Sequence, residues 1–199
     1  MIQCVERGGN VIDLKKANEE FDKYVKNYNS EDKKIALKIE HIKRVSEISG
    51  IISENLNLDK ENIELAKLIG LLHDIGRFEE LKITKELNSV KFDHATHGST
   101  MLFENGMIRN FIEDSQYDEI IKKSIENHSR LVIEKGLNER ELLHSKIIRD
   151  ADKLDNYRVK KAEKIEATDK EIEEKIKEMA KNYGKENDKE FLNNENVKN

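Results

Sequence analysis

The sequence contains no proline and no tryptophan, and only one cysteine and nine glycines. Proline interrupts helix interiors and punctuates the tight turns of all-β folds. Its absence leaves helix favoured along a chain rich in Lys, Glu, Leu and Ile. The lone Cys4 excludes an internal disulfide and fits a reducing compartment, and nothing near it marks an activated thiol. Long apolar runs are missing too: stretches such as 68–75 are far too short to span a bilayer. The first residues mix Glu6 and Arg7 with Gly8 and Gly9 and hold no signal-peptide core, so a cytoplasmic location is expected. Positive charge is not in excess either. The formal net charge is −5, which removes any global electrostatic case for nucleic acid or an anionic membrane. A small anionic substrate would need locally placed cations, a metal, or both.

What the chain does have is charge in quantity: 39% charged against 36% apolar residues over 199 positions, the balance of one soluble, helix-rich domain. Residues 1–31 read as a leader with a short helix, weakly amphipathic over 11–28. Ile35, Ile39, Ile42, Val45, Ile48 and Ile52 recur at three- and four-residue steps and predict a helix over 32–56. Asp59 and Asn62 form a capping pair for a helix over 60–75, with Leu65, Leu68, Ile69, Leu72 and Ile75 on its core face. A polar connector is expected from Arg77 to Lys91. A helix over 92–105 follows, ended by Asn105-Gly106, then a helical turn at 107–113 and a helix over 115–130. Asn138 caps a long helix from Glu139 to about Ala162. The main domain thus spans 32–162 and is all-α. The extension 163–199 is charged: 168–182 has thin apolar content for a helix, and 186–199 should be disordered.

Against this helical background stand His41, the pair His73-Asp74, His94, His128 and Asp152. Imidazole and carboxylate are ligands for Zn, Mn, Fe, Co and Ni, and an aspartate can bridge two ions with its two oxygens. The set is scattered, so several helices would have to present one or two ligands each to a common centre. His41 lies on a stripe with Val45, Ile48 and Ile52. His128 shares a face with Ile121 and Ile125, and His94 one with Val90 and Met101. An imidazole on an apolar face needs a partner, which a metal or an ordinary hydrogen bond could supply. Helical phase does not select Asp152, since Asp150 lies nearer the apolar arc.

The order His, His-Asp, His, His, Asp resembles that of the HD superfamily of metal-dependent phosphohydrolases. HIKRV at 41–45 is similar to the family's first ligand segment, and LLHDIGR at 71–77 to its doublet. HATHG at 94–98 resembles the His-x-x-x-Gly element of the two-metal branches, IENHS at 125–129 the next ligand helix, and IRDADKLDNYR at 148–158 the closing Ala-Asp segment. The resemblance covers about residues 32–160 and implies a helical bundle with a metal site between helices. It implies that His41, His73, Asp74 and Asp152 hold a first divalent ion, and that Asp74 bridges to a second held by His94 and His128. It prefers Asp152 to Asp150 or Asp155, and the spacing to Gly98 prefers His94 to its rival His97. His144 is left as structural or exposed.

The implied reaction is hydrolysis of a nucleotide or other small phosphoester or phosphoanhydride by metal-activated water. Asp74 then belongs to the catalytic machinery, with Arg77 and Lys153 as phosphate clamps. The plain alternatives are a surface salt bridge from Arg77 to Glu79 or Glu80, and an exposed helix lysine at 153. The connector at 77–93, with Phe78, Lys82, Lys85, Lys91 and Phe92, would supply part of the site's walls. Departures narrow the branch. Arg77 and Phe78 stand where guanosine-tetraphosphate hydrolases carry Glu-Asp. Asn127 stands where cyclic di-GMP phosphodiesterases carry a second histidine, and this chain has no proline for their Gly-Tyr-Pro element. The ligand order is nearer to the branch that hydrolyses diadenosine tetraphosphate and to small uncharacterised HD hydrolases, and neither likeness fixes a substrate. Two other classes compete: a catalytically inactive nucleotide-binding sensor, and a helical adaptor.

Overall fold

The computed structural model describes residues 12–29, 31–87, 89 and 91–162, the last five without their side chains. The expectations for the leader before Ile12 and for 163–199 lie outside the described residues. Among the described residues eight α-helices follow one another: α1 Leu14–Val25, α2 Lys33–Asn55, α3 Lys60–Leu72, α4 Gly76–Thr84, α5 His94–Ser99, α6 Ile108–Phe111, α7 Asp118–His128 and α8 Glu139–Ala162. A π-helical turn, Thr100–Glu104, prolongs α5, and a 3-10 turn, Ser115–Tyr117, leads into α7. Among the described residues there is no strand, and no helix is long and apolar enough to cross a membrane.

Short acidic and amide side chains start five of these helices. Asp13, Asp32, Asp59 and Asp93 each accept a hydrogen bond from a first-turn backbone N–H, and Asn138 accepts one from Glu141 N at 2.9 Å. Each such cap stabilises its helix by about 1 kcal/mol. The apolar stripes then meet in one core. Ile42, Val45, Ile48 and Ile52 of α2 pack with Leu65, Leu68, Ile69 and Leu72 of α3, Ile121 and Ile125 of α7, and Ile147, Ile148 and Ala151 of α8.

The stretch 77–91 is not the connector that polarity suggests. Its first half is α4, which buries Phe78 and Leu81 at a three-residue step. Phe78 is fully buried against α1 and the residues after it, with ring centroids 6.1 Å from Phe21, 5.7 Å from Tyr24 and 5.2 Å from Tyr28. It belongs to the core and cannot reach a substrate base. Tyr24 donates its hydroxyl to the Ile75 carbonyl at 3.1 Å, and Tyr28 donates to Glu79 at 2.6 Å, so an aromatic layer pins the turn that follows Asp74.

Two close backbone approaches set the spacing around that turn. A Cβ on Gly70 would lie 2.6 Å from Ser46 Cα and 3.0 Å from the Val45 carbonyl, so α2 and α3 meet where only glycine fits. A Cβ on Gly76 would strike the His94 carbonyl and lie 2.8 Å from Gly98 N, which presses α5 onto the start of α4. Gly70→Ala should lower unfolding stability by about 1–3 kcal/mol through overpacking. Gly50→Ala meets only the flexible Lys67 side chain and should be neutral or stabilising through higher helix propensity. Urea unfolding of the two variants measures the contrast, and equal effects would show that the Gly70 contact carries no constraint.

Candidate metal centre

Six side chains from five helices and one turn converge between the helices. α2 presents His41, His73 caps the C-terminal end of α3, and Asp74 follows in the turn. α5 begins with His94, α7 ends with His128, and α8 carries Asp152. Their donor atoms form two groups, each within 4.8 Å internally: His41, His73, Asp74 and Asp152, and Asp74, His94 and His128. The two oxygens of Asp74 divide between them. Oδ2 lies 3.6 Å from His41 Nε2 and 3.5 Å from His73 Nε2. Oδ1 lies 3.3 Å from both His94 Nε2 and His128 Nε2. Asp152 Oδ1 closes the first group at 3.1 Å from His41 Nε2 and 3.7 Å from His73 Nε2.

The far side of three of the four rings explains why their Nε2 atoms point inward. His73 Nδ1 lies 2.8 Å from the Gly70 carbonyl, His128 Nδ1 2.6 Å from the Ile125 carbonyl, and His41 Nδ1 2.7 Å from Asp155 Oδ2. Those acceptors require Nδ1 to carry a proton. In the neutral rings the lone pair is then on Nε2, aimed at Asp74. Backbone carbonyls and carboxylates serve metal-binding histidines in this way. The result is a pocket of mutually facing acceptors. His41 Nε2, His73 Nε2 and Asp74 Oδ1 are buried without a hydrogen-bond partner among the described residues, and His94 Nε2 faces His128 Nε2 at 3.1 Å. Lone pairs that face one another need a cation or extra protons between them. Nitrogen and carboxylate donors in these numbers fit one or two divalent transition-metal ions.

The charges tell the same story. Burial works against the charge of Asp74, yet Lys38 and then His73 outweigh it and hold the carboxyl well below its ordinary range. Lys38 Nζ lies 2.9 Å from Asp74 Oδ2. Burial alone would keep His41 neutral, but Asp152, Asp155 and Asp74 raise its pKa to about 10. His94, dominated by burial, falls to about 3. Without metal, the first donor group therefore takes up a proton where an ion would sit.

Of the residues expected from sequence, the structure brings together His41, His73, Asp74, His94, His128 and Asp152. Arg77 stands beside them, its Nε 3.5 Å from Asp74 Oδ1 and its Nη1 2.7 Å from the fully buried Glu80. His97 packs against Phe92 with tilted rings, centroids 4.9 Å apart, and lies in neither donor group. His144 is buried with Nε2 3.0 Å from Asn62 Oδ1. Lys153 is exposed and joins no ion pair with the described residues. Two participants were missed. Lys38 sits one helical turn before His41, a spacing that puts both on one face. The resemblance offers Asp155 only as a rival ligand, whereas it holds the opposite nitrogen of His41 and is itself clamped by Arg44 Nε at 2.7 Å.

Asp155→Asn should weaken Mn²⁺ binding about 10- to 100-fold, the usual effect of removing a carboxylate behind a ligand histidine. Titration calorimetry reads this directly, and unchanged affinity would mean that His41 needs no such support. The raised pKa of His41 gives a pH dependence with a definite sign. Metal must displace that proton, so affinity should rise by about tenfold per pH unit per proton between pH 6 and 8. A flat profile would show that His41 is uncharged in the metal-free protein.

Residues 39–157 match the family described as HD domain. Residues 156–199 match the C-terminus of bacterial trigger factor protein, a match that lies almost wholly outside the described residues. Comparison with curated proteins gives no significant match, and neither does comparison with solved structures. The HD match takes in every residue of both donor groups and more than half of the chain, and the protein belongs to the HD-domain family.

Proposed function

We propose that this protein is a metal-dependent phosphohydrolase acting on a nucleotide or another small phosphoester or phosphoanhydride. The observation that carries the reading is the division of Asp74 between two separate groups of imidazole nitrogens. A divalent ion supplies a Lewis acid for a phosphoryl oxygen and makes hydroxide available near neutral pH. Most HD-domain proteins are hydrolases, which supports the same class.

The side chains divide the remaining work. His41, His73, Asp74 and Asp152 would hold one ion, and Asp74, His94 and His128 a second. Asp155 and the carbonyls of Gly70 and Ile125 fix the rings that bind. Three carboxylates, Asp74, Asp152 and Asp155, lie within this small volume, and alone they would repel a phosphate. Lys38 and Arg77 offset them from the protein side. Arg77 is held between Asp74 and Glu80, so its charge is fixed beside the second donor group. Lys153, exposed one residue beyond Asp152, is the weaker candidate for a phosphate contact. Asn127 is clasped into the backbone, donating to the Lys123 carbonyl at 2.8 Å and accepting from Glu134 N at 2.9 Å, so it plays the part of a structural anchor. The position thus lacks the second histidine expected of a cyclic di-GMP phosphodiesterase.

Chelation should abolish phosphate release from nucleotides, and Mn²⁺ or Co²⁺ should restore it. Asp74→Ala should lose metal and turnover together, read by metal analysis and a phosphate-release assay. Turnover that survives complete metal removal would refute the mechanism. A filled metal site with no turnover on any phosphoester would instead make the protein a nucleotide-binding sensor.

A further inference from the structure

Lys38 is placed where a lysine has little reason to be unless its charge is used. Its ammonium comes from α2 and reaches over the first donor group to Asp74 Oδ2 at 2.9 Å. That is the oxygen shared with His41 and His73. Its side chain is 15% exposed, so the group lies at the rim of the pocket, between the buried donors and solvent. Of the other cations around the centre, Arg77 is tied to the buried Glu80, and Arg44 to Asp155 and Glu40. Among the described residues, Lys38 is thus the cation whose ion pair is with a donor atom of the centre alone. A divalent ion at that group would claim Asp74 Oδ2 and repel the ammonium. The four-carbon stem is flexible, and a displaced lysine at the rim will seek another anion.

We propose that Lys38 is the exchangeable cation of this centre: it neutralises Asp74 in the metal-free protein and turns to the phosphoryl oxygen of the substrate in the metal-loaded one. This rests on the phosphohydrolase reading for the identity of the anion. It does not rest on it for the competition with metal.

The two roles pull in opposite directions, which gives a signature that a packing role would not produce. Lys38→Met removes the charge and keeps the stem. Calorimetric titration of the metal-free variant with Mn²⁺ should show tighter binding, by about tenfold, because a like charge beside the ion is gone. Titration of the Mn²⁺-loaded variant with inorganic phosphate should show weaker binding, by about 10- to 100-fold, the cost of losing a charged hydrogen-bond donor. Lys38→Arg should keep most of the phosphate affinity. Should Lys38→Met fail to fold, Lys38→Gln decides the same two titrations. Weaker Mn²⁺ binding in the variant would overturn the proposal by showing that Lys38 supports the site. Unchanged phosphate binding would overturn it by showing that the lysine never meets the anion. Absence of turnover in the wild-type protein would refute the hydrolase reading and leave both titrations able to decide Lys38.

Discussion

The carboxylate of Asp74 carries a negative charge at a point only 3% exposed to solvent, in the middle of a bundle of helices. An isolated buried charge is among the most costly features a fold can contain, and it persists only with opposite charge and polar partners around it. Apart from the like-charged Asp152, the groups around Asp74 answer that requirement. Lys38 meets one oxygen, the histidine nitrogens surround both, and Arg77 stands behind. Apart from His73 and Arg77, these partners come from distant stretches of chain. α2, α5, α7 and α8 must all arrive within a few ångströms, so the stability of the site and the packing of the bundle are one problem.

The packing solves it with small residues and rigid supports. Gly70 lets α3 lie against the backbone of α2, and the Gly76–Gly98 contact lays α5 on α4. The histidine rings are then oriented from behind by fixed acceptors, two of which are carbonyls of the same helices that carry the rings. Orientation that comes from backbone costs no further side-chain ordering. His41 differs, because its acceptor is Asp155 on α8, and Asp152 three residues earlier faces its other nitrogen. One turn of α8 thereby grips a single imidazole from both sides.

Much of this was legible in the sequence, for identifiable reasons. Long helices with regular apolar steps, such as α2 and α3, declare themselves, and their caps at Asp32 and Asp59 are where short acidic side chains would be expected. His41, His94 and His128 stood out because each is polar on an apolar stripe. α4 did not, because nine residues with two buried apolar side chains and a buried glutamate carry almost no periodic signal. Its Phe78 looked available to a substrate for the same reason. Asp152 was invisible to helical phase: its half-buried place in the centre follows from the approach of α2, a long-range contact that no local pattern records. Lys38 and Asp155 were readable only as neighbours of ligands, one turn away on the same faces, and a charged residue in that position is ordinary on a solvated helix.

The aromatic layer of Phe21, Tyr24, Tyr28 and Phe78 separates two notions of a domain. The segment that matches the family begins at residue 39, yet Phe21 and Ala17 of α1 are fully buried in the shared core. The hydroxyl of Tyr24 bonds to the backbone one residue beyond Asp74. The stretch that ancestry marks out and the stretch that folds cooperatively therefore have different edges. An excised piece cut at the family boundary would keep every ligand and lose the wall behind them, so for this chain the smallest meaningful unit reaches back to at least Ile12.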